Sequence, residues 1–256
     1  MMRYACAVAA LLSVGEPVSA AGMTARDVTG LLFKSAAGEH PDLAGQDLAN
    51  LELSNLDFHK ANLVKARLFG ADLSQSDLSG TDLSGADMDR VTLISTKFDE
   101  ANLEGARLLR PSVFSTLTAT AAEAPSFRKA NMRGIKMFGR FTRANFEGAD
   151  LTGATCAPFG KTGFIEEIWR TEMSGANLAG AILVGADLTH ALLTFADMRG
   201  ANLTNAILKN ADFTGADLTG ADASGADFEG AILKDVKGFN TITGLSEAKN
   251  IDKMLR

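Results

Sequence analysis

Cysteine and histidine are scarce in this chain of 256 residues. With two Cys, Cys6 and Cys156, and three His, a disulfide framework is excluded and a multi-ligand zinc site has too few ligands to draw on. A net charge of −6, from 25 Lys plus Arg against 31 Asp plus Glu, excludes a generally basic binder of nucleic acid or membrane surface, and any such contact has to be local. The apolar run from Ala5 to Val14 is about half of the ~20 residues that a bilayer-spanning helix needs, so no transmembrane anchor is expected. Against these absences stands an apolar content of 46% with 22% charged residues, enough for one large domain or two small ones with a real core.

Residues 1–20 read as a signal peptide. Arg3 precedes the apolar run, and Glu16 and Pro17 lead to the small-residue ending Val18-Ser19-Ala20, with cleavage expected before Ala21. The competing reading is a start at Met23, which leaves the protein in the cytoplasm.

A period of five dominates the rest of the chain. From Leu43 an apolar residue returns at every fifth position, as in Leu48, Leu53, Phe58, Leu63, Leu68 and Leu73, on to Leu108 and Val113. A small residue sits two positions before many of them, as in Ala61, Ala66, Ala71 and Ser76. The period resumes at Phe127, slips by one residue between Met137 and Phe141, continues to Cys156, and runs a third time from Met173 to Leu233. Repetition on this scale decides the fold.

Five residues along an α-helix end about 140° past a full turn, which spreads the apolar positions around the whole cylinder. A straight strand fails as well, because five is odd and successive Leu residues point to opposite faces. Within one quintet, however, the small residue and the Leu are two apart and share a side. The chain then has to bend, and the two residues after the Leu are often Ser or Thr followed by Gly, as in Ser79-Gly80 and Thr214-Gly215. The result is a coil with one corner per quintet. Four sides stack Asp47, Arg67, Asp87 and Arg107, alternating in sign, whereas three sides stack Asp42, Asp57, Asp72 and Asp87. Like charges ~5 Å apart repel, which favours four sides.

The quintets Ala149-Asp150-Leu151-Thr152-Gly153 and Ala216-Asp217-Leu218-Thr219-Gly220, with Ala71-Asp72-Leu73, resemble those of the pentapeptide-repeat proteins. The resemblance implies an all-β solenoid, a right-handed four-sided β-helix of about 20 residues per coil, with Leu or Phe and Ala facing inward. Residues 41–233 are assigned to the β-helix, with loop insertions at 114–126 and 157–170 where the period lapses. Residues 21–40 and 234–256 are assigned to short helical caps. Thr24 is expected to N-cap a helix carrying Val28, Leu31 and Leu32, and Ser246 a helix carrying Ala248, Ile251 and Leu255.

Catalytic, cofactor-binding and metal-binding residues are not found, and no cofactor is expected. Gly160-Lys161-Thr162 has six residues between Gly153 and Gly160 where a phosphate loop needs four. His40, His59 and His190 lie far apart and read as solvated. Asp212, Asp217, Asp222 and Asp227 are spaced onto four different sides and read as a solvated outer wall. Cys156 occupies a Leu position and is expected to be buried and inert.

Charge is uneven: net −5 over residues 41–113, +4 over 126–156 and −6 over 171–233. The basic waist, Arg128, Lys129, Arg133, Lys136, Arg140 and Arg143, occupies outward slots on successive sides, as a belt. With Trp169, the lone tryptophan, these are the candidate partner-binding residues. The expected function is that of an exported, non-enzymatic scaffold binding an unidentified protein or envelope component, with no nucleic acid expected and a homodimer possible. The alternative, known for some members of the resembled family, is a cytoplasmic DNA mimic acting on a type II topoisomerase, DNA gyrase.

Overall fold

The computed structural model describes residues 22–35, 39–58, 60–115, 120–158 and 170–255. The proposed signal segment, His59 and Trp169 lie outside the described residues.

The chain winds into a right-handed four-sided β-helix. Each quintet contributes one parallel rung, and the rungs stack into four walls that begin at Asp42, Asp47, Glu52 and Asp57. Where the period is unbroken, rungs pair with the residue twenty further on, as in Asp72 with Thr92 and Asp197 with Asp217. Each rung residue both donates and accepts within its wall: the Asp72 N–H donates to Leu51 O at 3.0 Å and Leu53 N–H to Asp72 O at 2.8 Å. The backbone is thus satisfied between coils, as burial of the inner face requires.

Inside, the Leu/Phe and Ala positions are buried from Leu43 to Leu233. At the waist the interior is aromatic. Phe127 stacks between Phe98 and Phe146 at 5.1 and 5.0 Å, and Phe141 meets Phe127 and Phe146 edge-on. Inward hydroxyls spend their hydrogen bonds on backbone: Thr96 Oγ1 donates to Leu73 O at 2.8 Å, and Ser76 Oγ to Leu53 O at 2.7 Å. Among the described residues no buried side-chain polar atom lacks a partner.

Where the period of five is unbroken, the corners share one geometry. The second residue after the inward Leu holds φ near +60°, while the first does not, which is the signature of a type II turn. The residue before the Leu closes the turn from outside: the Asp72 carboxylate accepts the Ser74 N–H at 2.9 Å, and Asp212, Asp217, Asp222 and Asp227 do the same for the residues two further on. These four aspartates are therefore turn caps as well as outer wall. Wall charges alternate only in part, since Asp57 pairs with Asp77 and Asp197 with Asp217. Backbone ladders and turn caps, not side-chain charge, hold the register.

The walls continue across both period lapses, with Lys97 pairing with Ser126 and Thr155 with Asp187. At the one-residue slip the corner tightens. The second wall lengthens into two paired strands, β1 (Arg107–Leu109) and β2 (Lys136–Phe138), and Gly139 turns the chain at φ 140°. On the third wall Ser112 and Arg140 do not pair.

The two ends close differently. At the start, helix α1 (Ala25–Lys34) is capped by Thr24 in a capping box with Asp27 and buries Val28 and Leu32. At the other end the expected helix after Ser246 is absent. Residues 234–255 instead make one more coil, whose rungs Lys237, Thr243, Lys249 and Leu255 are six apart and pair with Asp217, Asp222, Asp227 and Ile232. Short 3-10 turns at Phe239–Thr241 and Ile251–Lys253 occupy two of its corners.

Candidate functional site

The described interior is filled, so the groups able to recognise anything lie on the outside. The six basic-waist residues are all exposed. They fall on different sides: Arg128 and Lys129 at the edge between fourth and first walls, Arg133 at the next edge, Lys136 on the second wall, Arg140 on the third, and Arg143 at the edge beyond. The fold does not gather them. Three are matched by acids in adjacent coils. Arg128 lies 3.6 Å from Glu147, Arg133 2.9 Å from Asp150, and Arg140 3.4 Å from Glu172. Exposed pairs of this kind add little stability but remove free positive charge. Arg140 also lies 5.5 Å over the Phe114 ring. Lys129 and Arg143 sit at positive-φ corners, and Lys136 meets no carboxylate among the described residues.

Two shallow hollows lie among the described residues. One, of about 270 Å³, lies on the fourth wall between Phe195 and Arg199. Phe195 is 72% exposed at a corner with φ 57°, and its ring fits because Gly215 follows it one coil later; a Cβ there would meet the ring at 2.5 Å. Arg199 grips Asp197 through two contacts, Nε at 2.8 Å and Nη2 at 2.6 Å. That grip holds the Asp197 carboxyl below its ordinary value and raises Arg199. The other hollow, of about 290 Å³, lies at the first end beside Leu32, Phe33 and Leu56. Neither aromatic was identified by periodicity, because corner and cap residues lie outside the inward register.

Cys156 is buried, and burial, with the Asp187 charge second, pushes its thiol up to about 12. Such a thiol is not a nucleophile at neutral pH. Among the described residues no group of three metal-ligating side chains comes together, and no helix is long and apolar enough to cross a membrane.

No curated protein matches the chain. Among solved structures it is similar to HetL, a pentapeptide repeat protein involved in heterocyst differentiation regulation from Nostoc sp. strain PCC 7120, at 25% identity over 89% of this chain and 94% of that one, with a TM-score of 0.43. It is also similar to QnrB1, a plasmid-mediated fluoroquinolone resistance protein, at 18% identity over 73% and 86% with a TM-score of 0.33. A pentapeptide repeat protein of the Arabidopsis thaliana thylakoid lumen matches at 24% identity over 59% and 66%, with a TM-score of 0.21. The pentapeptide-repeat family model matches residues 42–75, 71–108, 140–157, 171–210 and 196–235, together more than half of the sequence. With the four stacked walls and the inward Leu and Ala columns, this match places the chain in the pentapeptide-repeat family.

Proposed function

We propose that this protein is an exported, non-enzymatic scaffold whose rigid walls bind another protein or an envelope component. The observation that supports it is the filled tube: from Leu43 to Leu233 the positions of the Leu/Phe period are at most 4% exposed, so recognition belongs to the walls and edges. Export rests on the composition of residues 1–20. Fractionation of cells with N-terminal sequencing of the recovered protein tests it: a chain beginning at Ala21 outside the cytoplasm is expected, and a cytoplasmic chain keeping residues 1–20, or beginning at Met23, overturns it.

The gyrase-mimic reading needs a continuous acidic track. The second wall instead runs Asp47, Arg67, Asp87, Arg107, Lys136, interleaving cations where a duplex carries phosphates. In a supercoiling assay the purified protein is expected neither to inhibit nor to protect gyrase, and either effect replaces the scaffold reading.

A further inference from the structure

The edge between the second and third walls departs from the rest of the rod. In successive coils its turn positions carry Phe69 and Gly70, Asp89 and Arg90, Leu109 and Arg110, then Phe138 and Gly139. Arg90 and Arg110 hold φ of 61° and 55°, a conformation free to glycine and strained for any L side chain. They are also vertical neighbours, their backbones about one strand spacing, ~4.8 Å, apart along the edge. Among the described residues neither has a carboxylate partner, and Lys136 beside them has none. Arg90 lies instead over the Phe69 ring at 5.6 Å. The one acid in these turns, Asp89, is 5% exposed; the Arg107 guanidinium and the Leu109 N–H, at 3.1 Å, occupy its carboxylate. What the edge shows to solvent is therefore cationic and apolar. Positive φ is common to the corners; what sets this edge apart is stacked cations that pair with no acid among the described residues, and cations that do nothing for the fold point to a use outside it.

The shape of the edge selects the occupant. As a corner of a four-sided tube it projects outward, and neither hollow found among the described residues lies on it, so it suits a plane better than a chain that must be wrapped. We propose that this stretch of edge, from Phe69 to Lys136, rests on an anionic lipid surface. Arg90, Arg110 and Lys136 donate to headgroup phosphates, and the partly exposed Phe69 and Leu109 meet the headgroup boundary. The acids of residues 171–233 are spread over all four walls and are repelled by the same surface, which confines the contact to the coils from Phe69 to Lys136. The proposal rests on the scaffold reading in taking an envelope component as partner, but its test does not depend on export.

Co-sedimentation of the protein as recovered from cells, with phosphatidylglycerol-containing and with pure phosphatidylcholine vesicles, is the experiment. Binding to the anionic vesicles alone is expected, weakening with salt. The double variant Arg90→Gly/Arg110→Gly should bind on the order of 30-fold more weakly, with a melting temperature no lower than the parent, since both substitutions relieve positive φ. Lys60→Gly/Lys65→Gly removes the same charge from positive-φ corners on other edges and should leave binding unchanged. Equal binding to neutral vesicles, full binding by the arginine variant, or equal loss in the lysine variant overturns the proposal. So does binding to soluble poly-glutamate with none to vesicles, which would put an acidic protein segment on the edge.

Discussion

The coils with five-residue sides and the last coil with six-residue sides make the same rungs with different interiors. In the five-residue side, Leu or Phe follows the rung and points in, and the positive-φ residue comes two later, at the corner. In the last coil the positive-φ residue follows the rung directly, as Gly238, Gly244 and Asn250, and the next apolar residues, Phe239 and Leu245, pack against the open end of the core. The early turn brings backbone against backbone: a Cβ on Gly238 would lie 2.4 Å from Thr219 Cα, and one on Gly244 2.6 Å from Ser224 Cα. A rung can thus be kept while the side chain that fills the tube is exchanged for one that plugs it. The closure protects an otherwise open solenoid end.

Substitutions that separate the two kinds of side should differ in reach as well as size. Leu73→Asp puts an unpaired charge into the filled tube and should cost more than about 4 kcal/mol; loss of circular dichroism well beyond one coil's share is the expected readout. Gly244→Ala adds a clash and a strained φ, about 2–3 kcal/mol, confined to the end. Hydrogen exchange should show protection lost over residues 237–255 with the remaining walls intact, and unfolding of the whole rod would show that the plug is not a separate cap. Asp72→Ala strands the Ser74 N–H and should cost about 1 kcal/mol by denaturant unfolding. Asp72→Asn keeps the acceptor and should stay within about 0.5 kcal/mol of the parent.

The smallest effect is that of pH. The Thr219 and Ser224 hydroxyls and N–H groups hold the Asp217 and Asp222 carboxyls below their ordinary value of 3.8. A folded-state pKa below the unfolded one means stabilisation that is present above about pH 4 and lost as pH falls through the folded value. Melting temperature should therefore be insensitive to these groups from pH 5 to 8 and fall below about pH 4. The Asp217→Asn/Asp222→Asn variant should show a shallower acid decline.

The inward register was legible in the sequence because burial repeats with the backbone: Leu43 to Leu108 and Met173 to Leu233 are read correctly from period alone, and the tightened corner at Gly139 is announced by the missing residue. Two things were not. Ala248, Ile251 and Leu255 fit a helical face as well as a six-residue coil, and only the glycine-like positions 238, 244 and 250, each followed by an apolar residue, distinguish them. The aspartates before each Leu read as solvent-facing, although their recurrence one residue ahead of a Ser/Thr turn carries the capping signal. Charge was counted along the chain, which hid the edge cluster: Arg90 and Arg110 belong to a segment that is acidic by sum, and stacking sets them beside Lys136.

Each quintet advances the chain by one wall, so the rod has a phase. Deleting or duplicating a full coil would change its height and leave every later surface facing as before. Removing a single quintet between the basic edge and Met173 would preserve all inward positions yet carry the entire acidic half a quarter turn round the axis. In this architecture a length change is therefore a rotation, and the compass bearing of one surface relative to another can drift with little damage to the core.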